Sequence, residues 1–193
     1  MTLQGITPRW EWRTFQETLA PELVSRILDK EGARLQTREC YILTAHDHLN
    51  IKLRYDLLDV KERLLVQDGL ELWAPIEKCP LPLDDDGMAT LARLAGLDER
   101  QLFASAGMED DLRKMVHNDP ALSWLDVEKL RFKCVFEGTW VDLTKVMTSG
   151  SSLMTLAFEH EKRQEVHRWL EEFNCSALEN VNYVRCLKRI VEG

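Results

Sequence analysis

The sequence predicts an α+β fold: an antiparallel meander of strands, interrupted and followed by helices. Three observations lead there. Segment after segment alternates charged and apolar residues with the period of a strand, turn-forming residues separate these segments, and helical spacing of apolar residues is confined to three places. With 193 residues, 45% hydrophobic and 30% charged, the chain can fill a core and has the length of a single domain, taken as residues 1–193.

The first strand is Arg9-Trp10-Glu11-Trp12-Arg13-Thr14-Phe15, whose strict alternation puts Arg9, Glu11 and Arg13 on one face and Trp10 and Trp12 on the other. Leu23, Ile27 and Leu28 at helical spacing, with Pro21 suited to a first turn, predict a helix over residues 21–35. Residues 38–43 and 50–56 read as extended, the second setting Ile51, Leu53 and Tyr55 against Lys52 and Arg54. Residues 57–65 place Asp59, Lys61 and Arg63 on one face, and a turn at Gln67-Asp68-Gly69 leads into a strand at 70–74.

From Pro80 to Gly87 the chain is turn-rich. Met88, Leu91, Leu94 and Ala95 then mark a helix stopped by Gly96, and a second helix runs from Asp110 to His117, where Asp119-Pro120 breaks it. Residues 84–125 are expected to be a helical insertion. Strand patterning resumes at 129–136, with Lys129, Arg131 and Lys133 alternating with Leu130, Phe132 and Cys134, and continues at 139–146 and 153–161. Val166, Trp169, Leu170 and Phe173, then Leu178, Val181, Val184 and Leu187, give two amphipathic helices at the end.

Twenty-five Lys and Arg against 33 Asp and Glu give a formal charge of −8. The molecule as a whole should repel nucleic acid and anionic lipid at long range, so a polyanion site must be a local basic cluster. The longest stretch without a charged residue or histidine, Val146 to Phe158, falls short of the roughly 20 residues that span a bilayer, and the N-terminus lacks a secretory pattern. A cytoplasmic protein with no membrane partner is expected. Its five scattered cysteines, with no C-x-x-C, read as reduced thiols.

An alternating strand ordinarily turns its polar face to water. Here four strands carry Lys or Arg at alternate positions, in pairs Arg9 and Arg13, Lys52 and Arg54, Lys61 and Arg63, Arg131 and Lys133, against the acidic balance of the chain. Facing one lumen, they would repel unless carboxylates or a polyanion lay among them. Carboxylates do interleave, at Glu11, Asp59, Glu71, Asp142, Glu159 and Glu161. Oxygen donors beside a cluster of bases suit a metal-bound polyphosphate; ion pairing on an exposed sheet is the plainer alternative.

The charged first strand followed by a helix, the pair Lys52 and Arg54, the Lys61 strand, the basic strand at Arg131 and Lys133, Asp142, and the late Glu159-x-Glu161 followed by a helix together resemble the CYTH domains, or triphosphate tunnel metalloenzymes. The resemblance implies a closed, eight-stranded antiparallel barrel surrounded by helices. It implies metal-dependent hydrolysis of a triphosphate-bearing small molecule (inorganic triphosphate, thiamine triphosphate or a nucleoside triphosphate). The alternatives are a class IV-type adenylyl cyclase and a non-catalytic domain for polyphosphate, nucleotide or protein partners.

By the same resemblance, Arg13, Lys52, Arg54, Lys61, Arg63, Arg131 and Lys133 grip phosphate oxygens. Glu11, Asp142, Glu159 and Glu161 hold Mg²⁺ or Mn²⁺. The family's first-strand Glu-x-Glu-x-Lys appears here as Arg9-Trp10-Glu11-Trp12-Arg13. The exchange at Arg9 removes an oxygen donor, repels a cation and adds a phosphate donor, so Arg9 joins the phosphate-binding set. Oligomeric state is left open, with a homodimer as one candidate.

Other signals are weaker. His46-Asp47-His48 lacks a third ligand at zinc spacing, and His160-Glu161 fails H-E-x-x-H because residue 164 is Gln. The Rossmann, P-loop and G-x-S-x-G signatures are absent. Ser149-Gly150-Ser151-Ser152 fits a hairpin turn better than a phosphate nest. Trp10 and Trp12 are expected to pack against covering helices, and base stacking is the sharper alternative for the tryptophans.

Overall fold

The computed structural model describes residues 7–97 and 107–193. Eight strands, β1 (Arg9–Gln16), β2 (Gly32–Leu43), β3 (Leu49–Arg54), β4 (Leu57–Gln67), β5 (Leu70–Pro80), β6 (Ser123–Phe136), β7 (Thr139–Met147) and β8 (Ser152–His160), close into one antiparallel barrel in the order β1-β5-β4-β3-β2-β6-β7-β8. Closure leaves no edge strand. Among the described residues there are five helices: α1 (Pro21–Leu28), α2 (Asp85–Ala95), α3 (Glu109–Asn118), α4 (Arg163–Glu172) and α5 (Tyr183–Glu192). None is long and apolar enough to cross a membrane.

The period of two sorts the strands into an apolar outside and a charged inside. Outside, Ile51, Leu53, Leu58 and Val60 pack under α2 and α3 through Met88, Leu91, Leu112 and Val116. Trp12, Phe132, Leu143 and Phe158 pack with Ile27 of α1 and with Val166 and Leu170 of α4. A third cluster lies within the barrel wall: Tyr41, Leu43, Val127 and Val146 meet Tyr183, Val184 and Leu187, so that α5 stops up one end.

Local chemistry sets where the elements end. The helix expected over 21–35 stops at Leu28, and β2 starts at Gly32. A Cβ on Gly32 would sit 2.5 Å from the Lys133 carbonyl oxygen, so glycine lets β2 cross β6 closely. Tyr55 and Asp56, expected at the end of a strand, take left-handed φ of 53° and 55° and form the tight turn into β4. β5 runs past Ala74 to Pro80, because a register shift between Val60 and Lys61 accommodates Pro75. β6 begins at Ser123, within the stretch expected to be helical, and α5 begins at Tyr183, leaving Leu178 and Val181 in the loop before it.

Candidate functional site

The barrel interior holds two contiguous compartments. The inner one, about 100 Å³, is lined by Glu11, Arg13, Asn50, Lys52, Arg54, Lys61, Trp73, Lys129, Arg131, Lys133, Glu159, Asn182 and Tyr183. The outer one, about 220 Å³, shares Glu11, Arg54, Lys61, Trp73 and Glu159 with it and adds Thr7, Arg9, Asp59, Pro75 and Lys78. The outer compartment is the mouth, and Tyr183 of α5 is the floor. A roomier hollow of about 470 Å³ lies beside α1, where Val24, Leu28, Leu130, Phe132 and Met154 give it a largely apolar wall with Arg34, Arg131 and Lys145 among its lining.

Strand register explains the convergence. Glu11 pairs with Glu159 across β1 and β8, Lys52 with Asp59 across β3 and β4, and Lys133 with Asp142 across β6 and β7; directly opposed residues share a face. Five of the cations are tied to carboxylates. Arg13, 3% exposed, lies 2.7 Å from Glu11, 3.6 Å from Glu159 and 3.9 Å from Asp142. Arg131 pairs with Asp142 and, at 3.4 Å, with Glu39; Arg54 lies 2.5 Å from Asp59. Glu39, fully buried, also takes Lys129 at 2.7 Å and Lys52 at 3.7 Å.

Burial pushes the Glu39 carboxyl up, but Lys52, Lys129 and Arg131 outweigh it and hold the group well below the usual carboxylate range. Asp142 is held low in the same way by Arg131 and Arg13. Burial, only partly offset by Glu39, brings Lys52 down to about 8, and burial together with Arg131 pulls Lys133 below the ordinary lysine value.

Two cations make no close ion pair, although both act on Glu159 at longer range. Among the described residues neither Lys61 nor Lys133 has a carboxylate oxygen within 4.0 Å, yet both line the inner compartment.

The expected phosphate-gripping residues thus divide. Arg13, Lys52, Arg54, Lys61, Arg131 and Lys133 come together, and Arg9 lines the mouth. Arg63 is not in either lining; it is engaged by Glu71 at 2.7 Å and Asp47 at 3.2 Å. Of the expected metal ligands, Glu11, Asp142 and Glu159 surround the Arg13 guanidinium, while Glu161 lies beyond β8, more than half exposed and 3.9 Å from Arg9. Among the described residues no three His, Cys, Asp or Glu side chains are grouped to hold a metal ion. In this arrangement the Arg13 guanidinium lies among the three inward carboxylates that would hold Mg²⁺ or Mn²⁺.

Sequence reasoning missed Glu39, Lys129, Trp73, Lys78, Asn182 and Tyr183. Lys129 continues the alternation of Arg131 and Lys133 and could have been found by it. Trp73 faces inward beside Glu71, whose carboxylate accepts from the Trp73 Nε1–H at 3.0 Å.

No protein-family model matches the chain, and no curated protein matches it in sequence. Among solved structures, a candidate adenylate cyclase from Bacillus halodurans superposes with a TM-score of 0.52 at 15% identity, covering 93% of this chain and 97% of that one. A candidate adenylyl cyclase from Hippeastrum with a dominant triphosphatase activity gives 0.46 at 12% identity, over 86% of this chain and 85% of its own. A Pyrococcus horikoshii protein gives 0.46 at 14%, over 93% and 99%. The first of these likenesses is one of fold: the closed eight-stranded barrel with its helices is the CYTH-like triphosphate-tunnel fold.

Proposed function

We propose that the barrel takes up a small-molecule triphosphate, its phosphoryl groups in the inner compartment and its organic end in the outer one beside Trp73 and Pro75. The observation that carries this reading is that cations from β1, β3, β4 and β6 face one blind lumen in a chain of net charge −8, two of them with no carboxylate oxygen within 4.0 Å among the described residues. Buried like charges held together without full compensation favour a bound polyanion, and phosphate oxygens supply the missing acceptors. The fold shared with the Bacillus halodurans structure supports the same reading.

Binding, in this reading, needs no divalent cation, since guanidinium and ammonium groups already supply the positive charge. Hydrolysis or cyclisation is the second reading. It is favoured by Glu11 and Glu159, which face each other across the stretch common to both compartments.

Calorimetric titration with tripolyphosphate and with ATP, in chelator and in Mg²⁺ or Mn²⁺, tests the proposal, with phosphate release measured alongside. Binding in chelator is expected, and release only with metal would add the second reading. Lys52 loses its proton as pH rises through about 8, so affinity should be lower at pH 9 than at pH 7. Absence of binding in every condition would refute the proposal.

A further inference from the structure

Tyr183 is 6% exposed and lines the inner compartment, yet its buried hydroxyl has no hydrogen-bond partner among the described residues. Buried hydroxyls are ordinarily paired, because desolvation without a partner is costly. Tyr41, close by, shows the ordinary state: its hydroxyl donates to Glu39 at 3.0 Å and accepts from Lys129 at 2.7 Å. The Tyr183 ring has ample reason to be where it is. Phe15 meets it edge-on at 5.0 Å, Tyr41 stacks at 5.8 Å, the Lys129 ammonium lies 3.9 Å from its centroid and the Arg13 guanidinium 4.6 Å. Phenylalanine would keep every one of these contacts without stranding a polar group.

We propose that the Tyr183 hydroxyl is a ligand-binding donor that closes on the innermost phosphoryl oxygen of the bound chain. This deepens the triphosphate reading and rests on it. Phosphate oxygens accept, and a phenol held neutral by burial donates. The charged groups that act on the hydroxyl are Arg13 and Arg131 together with Asp142 and Glu39, and those two carboxylates are already paired with the guanidiniums.

The donor is also fixed in place. Asn182 accepts from the Arg185 N–H at 3.0 Å, capping α5, while its amide donates to both oxygens of Glu71 at 3.0 Å. The Val181 N–H donates to the Arg13 carbonyl at 2.7 Å, and the Arg13 N–H to Asn180 Oδ1 at 2.9 Å. The segment entering α5 is stitched to β1, so little ordering is left for the ligand to impose.

Tyr183→Phe is the test. Tripolyphosphate should bind about tenfold more weakly or worse, as expected for loss of a hydrogen bond to a charged group, while the thermal midpoint of the free variant is unchanged or higher. With ¹³Cζ-labelled tyrosine, the resonance that this variant lacks should shift in the wild type on adding tripolyphosphate. Equal affinity in wild type and variant overturns the proposal, whatever the midpoint does, as does an unshifted resonance. A wild-type protein that binds no tripolyphosphate would fail at the earlier step, refuting the triphosphate reading and this proposal with it.

Discussion

Lys61→Met combined with Lys133→Met is expected to weaken tripolyphosphate binding by at least about a hundredfold with the fold retained. Both ammonium groups line the inner compartment with no carboxylate oxygen within 4.0 Å among the described residues. Each can therefore turn its charge to a phosphate without breaking a close ion pair, and a hydrogen bond to a charged group contributes about 1.5–3 kcal/mol. Two such losses amount to roughly two or more powers of ten in the dissociation constant. Burial and Arg131 disfavour the Lys133 charge, while Asp142 and Glu159 favour it, and Lys61 and Lys133 both help to hold the Glu159 carboxyl low, so the variant trades like-charge repulsion against lost attraction to Glu159. Calorimetric titration and thermal unfolding on the same preparation check this. Undiminished binding would mean that these two lysines do not face the ligand.

Glu39→Gln is expected to destabilise the protein by roughly 3–5 kcal/mol, the cost of breaking a buried ion pair from one side. Its carboxylate is fully buried and balances Lys129, Lys52 and Arg131, so the amide would leave a knot of cations around a neutral group. The pH dependence has a definite sign. A carboxyl held below its unfolded value of 4.5 contributes stability that is complete above about pH 4.5 and is lost as pH falls toward the lower folded value. Wild-type stability should therefore drop on acidification below about pH 4.5, and the variant should show less of that drop. Asp142, held low by Arg131 and Arg13, adds to the slope in both proteins. Denaturant unfolding at pH 7 and pH 4 measures the effect, and a loss under 1 kcal/mol at pH 7 would contradict it.

Much of this site was legible in the sequence because the barrel obeys a period of two. Arg13, Lys52, Arg54, Lys61, Arg131 and Lys133 point inward while Trp12, Ile51, Leu53 and Phe132 pack outward, as alternation alone requires. Alternation fails on β2. There Cys40 and Ile42 are buried outside, and the inward Tyr41 and Leu43 are apolar where α5 plugs the barrel, so Glu39 is lost among buried neighbours. Arg63 shows the other limit. It shares the period of Lys61, but Glu71, eight residues away on β5, and Asp47 consume its charge, and no local pattern reports such a pairing. Tyr183 and Asn182 reach the tunnel through long-range packing of the last helix, beyond any local pattern.

Enclosure of a phosphate chain in the basic lumen is tested by a crystal structure with tripolyphosphate. Phosphoryl density is expected inside the barrel, with oxygens in hydrogen-bond contact with Lys61, Lys133 and Arg131 and the innermost one at the Tyr183 hydroxyl. Density confined to the outer surface, or Lys61 and Lys133 turned out to solvent with the lumen filled by water, would contradict it.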